Sequence, residues 1–190
     1  DKNYDAVAMS TPFPGNVFSA FKIARILKSE QPQVVNIWGG GFVNTEIREL
    51  KTVRVFSYFD YICLDDGIVP LELVLGHIQN PKGLKKFKRT FVKEDSKLRF
   101  VDNAKDLEDR PFAALPAPDY TGLDFSRYLC FLEIPNPMHR LWSDERWNKL
   151  IVAHGCYWKK CTFCDLSLDY IRRYEASPAS RFVDHMEKLI

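Results

Sequence analysis

VVNIWGGGFVNTEIREL, residues 34–50, is the stretch on which the fold turns. Its first five residues are an apolar run of strand length, glycines 39–41 end that run, and VNTEIREL can start a helix capped by Asn44 or Thr45. A continuous apolar run reads as a strand buried on both faces, because a half-exposed strand alternates apolar with polar residues. The same unit recurs on either side. Upstream, YDAVAMS (4–10) and the turn-rich TPFPGN precede VFSAFKIARILKS (17–29), where Val17, Ala20, Phe21, Ala24 and Leu27 return at helical spacing. Downstream, YICL (61–64) ends in DDG and leads into VPLELVLGHIQ (69–79), a further helix.

Alternation of short apolar strands with helices predicts an α/β domain with a parallel sheet covered on both faces. In open sheets of that kind ligands bind beyond the carboxyl ends of the strands. Here those ends carry STPFPGN, GGGFVN and DDGIVP. Asp65 and Asp66 of the last loop are expected to be solvated. KRTFVKEDSKLRFVD (88–102) reads as two short strands around a turn at Glu94 to Lys97, and the proline-rich 106–125 reads as a connector. LCFLEIP (129–135) and KLIVA (149–153) are strand candidates, and SPASRFVDHMEKLI (177–190) is a helix with Ser177 as its cap and Pro178 in its first position. The predicted organisation is an α/β domain over 1–104, a linker over 105–146, and a strand, loop and helix over 147–190 that are too little to bury a sheet alone. A start without methionine and an end without a helix terminator mark the chain, in this reading, as a piece of a longer protein.

The composition narrows the class. A formal charge of +2 gives no electrostatic case for a nucleic-acid partner, and the one basic run, KGLKKFKRTFVK (82–93), is interrupted by apolar residues. No apolar run approaches the ~20 residues that span a bilayer, so no membrane partner is expected. Five cysteines form neither an even set nor a spread framework. A reducing cytoplasm is therefore expected, with Cys63 and Cys130 as small buried apolar residues.

The other three cysteines stand together in HGCYWKKCTFCD (154–165), directly after KLIVA. Cys156, Cys161 and Cys164 have the spacing C-x4-C-x2-C, in which a C-x2-C turn brings two sulfurs to one centre and a short loop brings the third. Free thiols or a single redox pair would leave this clustering unexplained. Two metal chemistries remain open. Zinc would take the three thiolates with His154 as fourth ligand, although His154 and Cys156 make an awkward bite off a strand. An iron–sulfur cluster would take the three thiolates and leave one iron open to a substrate or cofactor.

HGCYWKKCTFCD resembles the cluster loop of radical S-adenosylmethionine (radical SAM) enzymes, which follows the first strand of a partial (β/α)6 barrel. The usual spacing in that family is C-x3-C-x2-C, and this chain has one residue more. The resemblance implies a [4Fe-4S] cluster on Cys156, Cys161 and Cys164, S-adenosylmethionine as co-substrate, and Phe163 packed near its adenine. Upstream, Ser10 in S-T-P and Gly39, Gly40 and Gly41 resemble the S-x-L and G-G pattern of flavodoxin-like (Rossmann-like) cobalamin-binding domains, with Pro12 where leucine is usual. Together the halves resemble B12-binding-domain radical SAM proteins, the group that includes anaerobic magnesium-protoporphyrin IX monomethyl ester cyclase. The resemblance implies cobalamin held at Ser10 and Gly39 to Gly41, a small-molecule substrate of tetrapyrrole type, and a one-electron donor such as flavodoxin or ferredoxin. The alternative from another class is a non-catalytic binding module with a structural zinc.

Overall fold

The computed structural model describes residues 4–83, 85–127, 150–166 and 168–189. The chain divides into two compact units, Asp1–Arg110 and Pro111–Ile190. Among the described residues no helix is long and apolar enough to cross a membrane.

The first unit is an α/β structure on a five-stranded mixed sheet in the order β1-β2-β3-β4-β5, compatible with a Rossmann-like fold. Strands β1 (Ala6–Ser10), β2 (Val35–Gly39) and β3 (Tyr61–Cys63) are parallel. They alternate with α1 (Val17–Glu30), α2 (Gly41–Glu46) and α3 (Ile68–Gln79). Beyond that point the sheet is mixed, and the two short strands expected over 88–102 form its hairpin. β4 (Thr90–Glu94) runs antiparallel to β3, and β5 (Lys97–Val101) antiparallel to β4. The reason for the second reversal is local: Asp95 (φ 48°) and Ser96 (φ 61°) make a two-residue hairpin turn, and two residues join only antiparallel neighbours.

Both faces of the sheet are covered, which is why its strands read as unbroken apolar runs. On one face Trp38, Ile62 and Phe91 pack with Ala20 and Ala24 of α1 and Val43 of α2. On the other Ile37, Cys63 and Val92 pack with Val74 of α3 and with Phe87. Trp38 anchors the first core, its ring stacked on Phe59 at 4.7 Å and met edge-on by Phe21 at 5.2 Å. The indole N–H still needs an acceptor in this setting. It finds the Thr11 hydroxyl at 2.9 Å.

α2 departs from its expected start. It begins at Gly41 rather than near Val43, with Gly40 as its cap and no side-chain cap bond. Asn44 instead bridges two loops: its Nδ2 donates to the Asp65 carbonyl (3.2 Å), and its Oδ1 accepts the Asp65 N–H (2.7 Å). Asn36, wholly buried, ties the layers in a similar way, donating from Nδ2 to the carbonyls of Ala24 and Tyr58 at 3.2 and 2.9 Å.

The second unit is slighter. β6 (Ala153–His154) pairs antiparallel with β7 (Glu175–Ala176), and the helices are α4 (Asp169–Arg172) and α5 (Ala179–Glu187). Among the described residues of the predicted KLIVA strand, 150–153, only Ala153 is in strand conformation. Ile151 and Val152 are 68% and 57% exposed, and an apolar strand without a covering layer gains little from its side chains. α5 starts one residue late, with Pro178 at its cap position and no side-chain cap; the Ser177 hydroxyl receives Arg181 Nη1 at 3.2 Å instead. LCFLEIP, Cys130 and Lys149 lie outside the described residues.

Two glycines separate steric need from mere tolerance. At Gly40, φ is +104° and a Cβ would stand 2.6 Å from the Thr11 nitrogen, whereas Gly76 inside α3 has nothing within 4 Å. Gly40→Ala is expected to cost about 2–4 kcal/mol in urea unfolding, and Gly76→Ala to gain about 0.5–1 kcal/mol. Equal effects of the two substitutions would sink this reading of the β2–α2 turn.

Candidate functional site

The carboxyl ends of β1, β2 and β3 enclose a cleft of about 310 Å³, lined by Ser10, Gly39 and Gly40, by Cys63 and Asp65, and closed by Ile68 and Leu71 of α3. This is where an open sheet of parallel strands binds ligands. Of the four residues expected to hold a cofactor here, Ser10, Gly39 and Gly40 line the cleft. Gly41 packs elsewhere, and a Cβ on it would meet the Pro12 carbonyl oxygen at 2.9 Å. The space left by Gly40 is filled by the protein: Thr11 N–H donates to the Gly39 carbonyl (2.9 Å), and Phe42 N–H to the Thr11 carbonyl (3.0 Å). At Gly39 a Cβ would find only ordinary contact, 3.4 Å from the Cys63 carbonyl oxygen.

Asp65, expected as a solvated loop acid, is buried, its side chain 7% exposed. Its carboxylate pairs with Arg48 and lies 3.5 Å from Arg89 Nε. Arg89 in turn grips Asp109 through both terminal nitrogens, at 3.0 and 2.7 Å, and donates to the Asp66 carbonyl at 3.1 Å. Asp65 (φ 61°) and Arg89 (φ 43°) are both left-handed, and the ion network holds them there. Sequence reasoning missed the network because Arg48, Arg89 and Asp109 come from three separate segments. The only visible signal was a charged pair closing an otherwise apolar strand.

Cys63 is a buried thiol, as expected. Burial pushes it up to about 11, the Thr90 side chain offsetting part of the rise. It stays protonated at neutral pH and serves as a small apolar residue in the cleft wall.

In the second unit Cys156, Cys161 and Cys164 are each half-buried. The Cys156 N–H donates to the Ile171 carbonyl at 3.2 Å, and the Cys164 N–H closes a turn on the Cys161 carbonyl at 3.3 Å. Gly155 (φ +76°) begins the loop where any Cβ would overlap the Arg173 carbonyl, so the chain there admits only glycine. Phe163 is 91% exposed, and Tyr157 and Trp158 of the same loop are exposed as well. His154 stacks on Phe112 at 6.1 Å, its Nε2 buried and without a hydrogen-bond partner among the described residues. Among the described residues no group of three or more His, Cys, Asp or Glu side chains is gathered to hold a metal ion. The donors fit an iron–sulfur cluster or zinc in kind and number, three soft thiols on one accessible loop, and holding either requires the loop to close around it.

No protein-family model matches the chain, and no curated protein matches it.

The raised thiol of Cys63 yields a pH signature. Its protonated form is favoured by folding, so its contribution to stability is complete below about pH 9 and is lost as the pH rises towards 11. The loss is about 2–3 kcal/mol for a shift of this size. Urea unfolding of the parent and of Cys63→Ala from pH 8 to 11 should show the gap between them shrinking by that amount. A constant gap would mean that Cys63 titrates as an exposed thiol.

Proposed function

We propose that the chain is part of a radical SAM enzyme, in which Cys156, Cys161 and Cys164 hold a [4Fe-4S] cluster and the α/β unit receives cobalamin. The observation that carries the reading is the set of three half-buried thiols within nine residues on one accessible loop after β6. Such a cluster, when bound and reduced, supplies the electron that cleaves S-adenosylmethionine to methionine and a 5′-deoxyadenosyl radical. The residues of the chain do the rest. Three thiolates leave one iron for the co-substrate, and the exposed Phe163 ring offers a surface for its adenine. Gly155 fixes the direction in which the loop leaves the strand. In the first unit the Ser10–Gly40 cleft, at about 310 Å³, is of a size for the nucleotide tail of cobalamin rather than its corrin ring. The substrate is a small molecule, a tetrapyrrole on the strength of the family resemblance, and the electron comes from a flavodoxin or ferredoxin. A reducing cytoplasm keeps the thiols available for such a centre.

Anaerobic reconstitution with iron and sulfide tests the proposal. About four irons per chain and a broad visible absorption are expected, both lost in Cys156→Ala, Cys161→Ala and Cys164→Ala and kept in Cys63→Ala. Stoichiometric zinc without iron uptake would remove the enzyme reading and leave a binding module.

A further inference from the structure

β1 is an edge strand: it pairs with β2 on one side, and no other strand adjoins it among the described residues. Which of its groups face outward follows from the register. The Val35 N–H donates to the Asp5 carbonyl at one end of the parallel ladder, and the Thr11 N–H to the Gly39 carbonyl at the other. With the two-residue period of a strand, the odd-numbered residues bond β2, and Ala6, Ala8 and Ser10 turn both N–H and C=O away from the sheet. Ala8 and Ser10 are exposed, and none of the three makes a backbone bond outside the ladder among the described residues. We propose that this edge receives β1 of a second copy of the chain, antiparallel about a two-fold axis at Ala8, joining two five-stranded sheets into one.

The strand is self-complementary in that arrangement. Ala8 meets the second copy's Ala8 and Ala6 meets its Ser10, so every outward N–H stands opposite an outward carbonyl. The opposed side chains are small or apolar, Val7 falling against Met9, and no like charges meet. Sheet edges that stay single carry lysine, proline or a bulge. β1 has none of these between Ala6 and Ser10, whereas the opposite edge strand, β5, carries Lys97 and Arg99. A two-fold contact through β1 therefore closes as a dimer and does not propagate.

The flanks of the strand supply the rest of the contact. Paired strands of five residues fall short of the ~1,000 Å² that marks a stable interface. Tyr4, 54% exposed, comes to lie opposite Pro12 of the second copy and beside its Phe13, 71% exposed, and the axis makes this contact twice. The same axis sets the two α1 helices on one face of the joined sheet. Phe21 of α1 packs towards Trp38 and Phe59, and the exposed Ile23 lies about 200° further round the helix, on the flank towards the β1 edge. On the other face Ala8 and Ser10 line the ligand cleft, so the second copy's strand runs along the open side of that cleft.

Sedimentation velocity of the 190-residue chain over about 1 µM to 1 mM tests the proposal. A monomer–dimer equilibrium with a dissociation constant of about 10–100 µM is expected, without larger species. Ala8→Lys and Ala8→Glu, each opposing its own charge across the axis, should weaken it about tenfold or more while keeping the parent's circular dichroism. Their equimolar mixture should dimerise again as a one-to-one pair. Amide exchange of the parent gives a second reading: Ala6, Ala8 and Ser10 gain protection as concentration rises, whereas Val7 and Met9 are protected throughout. The proposal is overturned by a monomer at every concentration, which would leave the edge to a different polypeptide, or by dimers that persist in both charged variants, which would place the contact elsewhere. A mixture that stays monomeric, or protection that does not alternate along β1, overturns it equally.

Discussion

Thr11 occupies the space that a side chain at Gly40 would need, and the shape of the first unit's cleft depends on that contact. Its N–H and hydroxyl both reach the Gly39 carbonyl, its own carbonyl takes the Phe42 N–H, and its hydroxyl receives the Trp38 indole. One buried residue thus joins the loop after β1 to the loop after β2 and to the largest ring of the core. A Cβ at position 40 would separate the loops by pushing on backbone, which cannot yield as a side-chain tip can. The third loop is joined by different means. Asn44 of α2 clasps the Asp65 backbone, and the Arg48–Asp65–Arg89–Asp109 network then fixes the end of β3.

These two kinds of contact mark what could and could not be read from sequence. The strands and helices of the first unit were legible because burial on both faces writes a local, continuous apolar run, and because Ala20 and Ala24 repeat at the helical period. The hairpin was legible from Glu94 to Lys97, where the turn is local. Pairing direction was not. Nothing in TFVKE distinguishes a parallel from an antiparallel neighbour of β3, since both bury Phe91 and Val92 on opposite faces. Asn44 was read as a helix cap for a related reason. Its preference for bonding backbone is a property of the residue, but which backbone it finds is decided by the Asp65 loop, 21 positions away.

The glycines show the same division between local rule and long-range cause. Their presence after an apolar strand announced a close approach. The approaching group is the chain's own Thr11 and Pro12 at Gly40 and Gly41. In the cysteine loop, number and spacing declared soft ligands, while their gathering was beyond both sequence and backbone. Deprotonated thiolates repel one another, so metal and loop geometry form together. Gly155 is the exception, because its left-handed turn against the Arg173 carbonyl exists before any metal does.

Strand direction finally sorts the chemistry of the first unit between its two ends. Where β1, β2 and β3 all finish, backbone groups are consumed by bonds between loops and the one acid of the cleft, Asp65, is neutralised by arginines. What faces the cleft is consequently apolar and uncharged: Ile37, Leu71, the Cys63 thiol and glycine backbone. The reversal into β4 breaks that arrangement. It brings the end of one strand beside the start of another, and a strand end that need not cap a helix can carry charged side chains such as Lys93 and Glu94. The charged side chains gathered at that end, Lys93 and Glu94 beside Asp60, are thus a consequence of the reversal of strand direction.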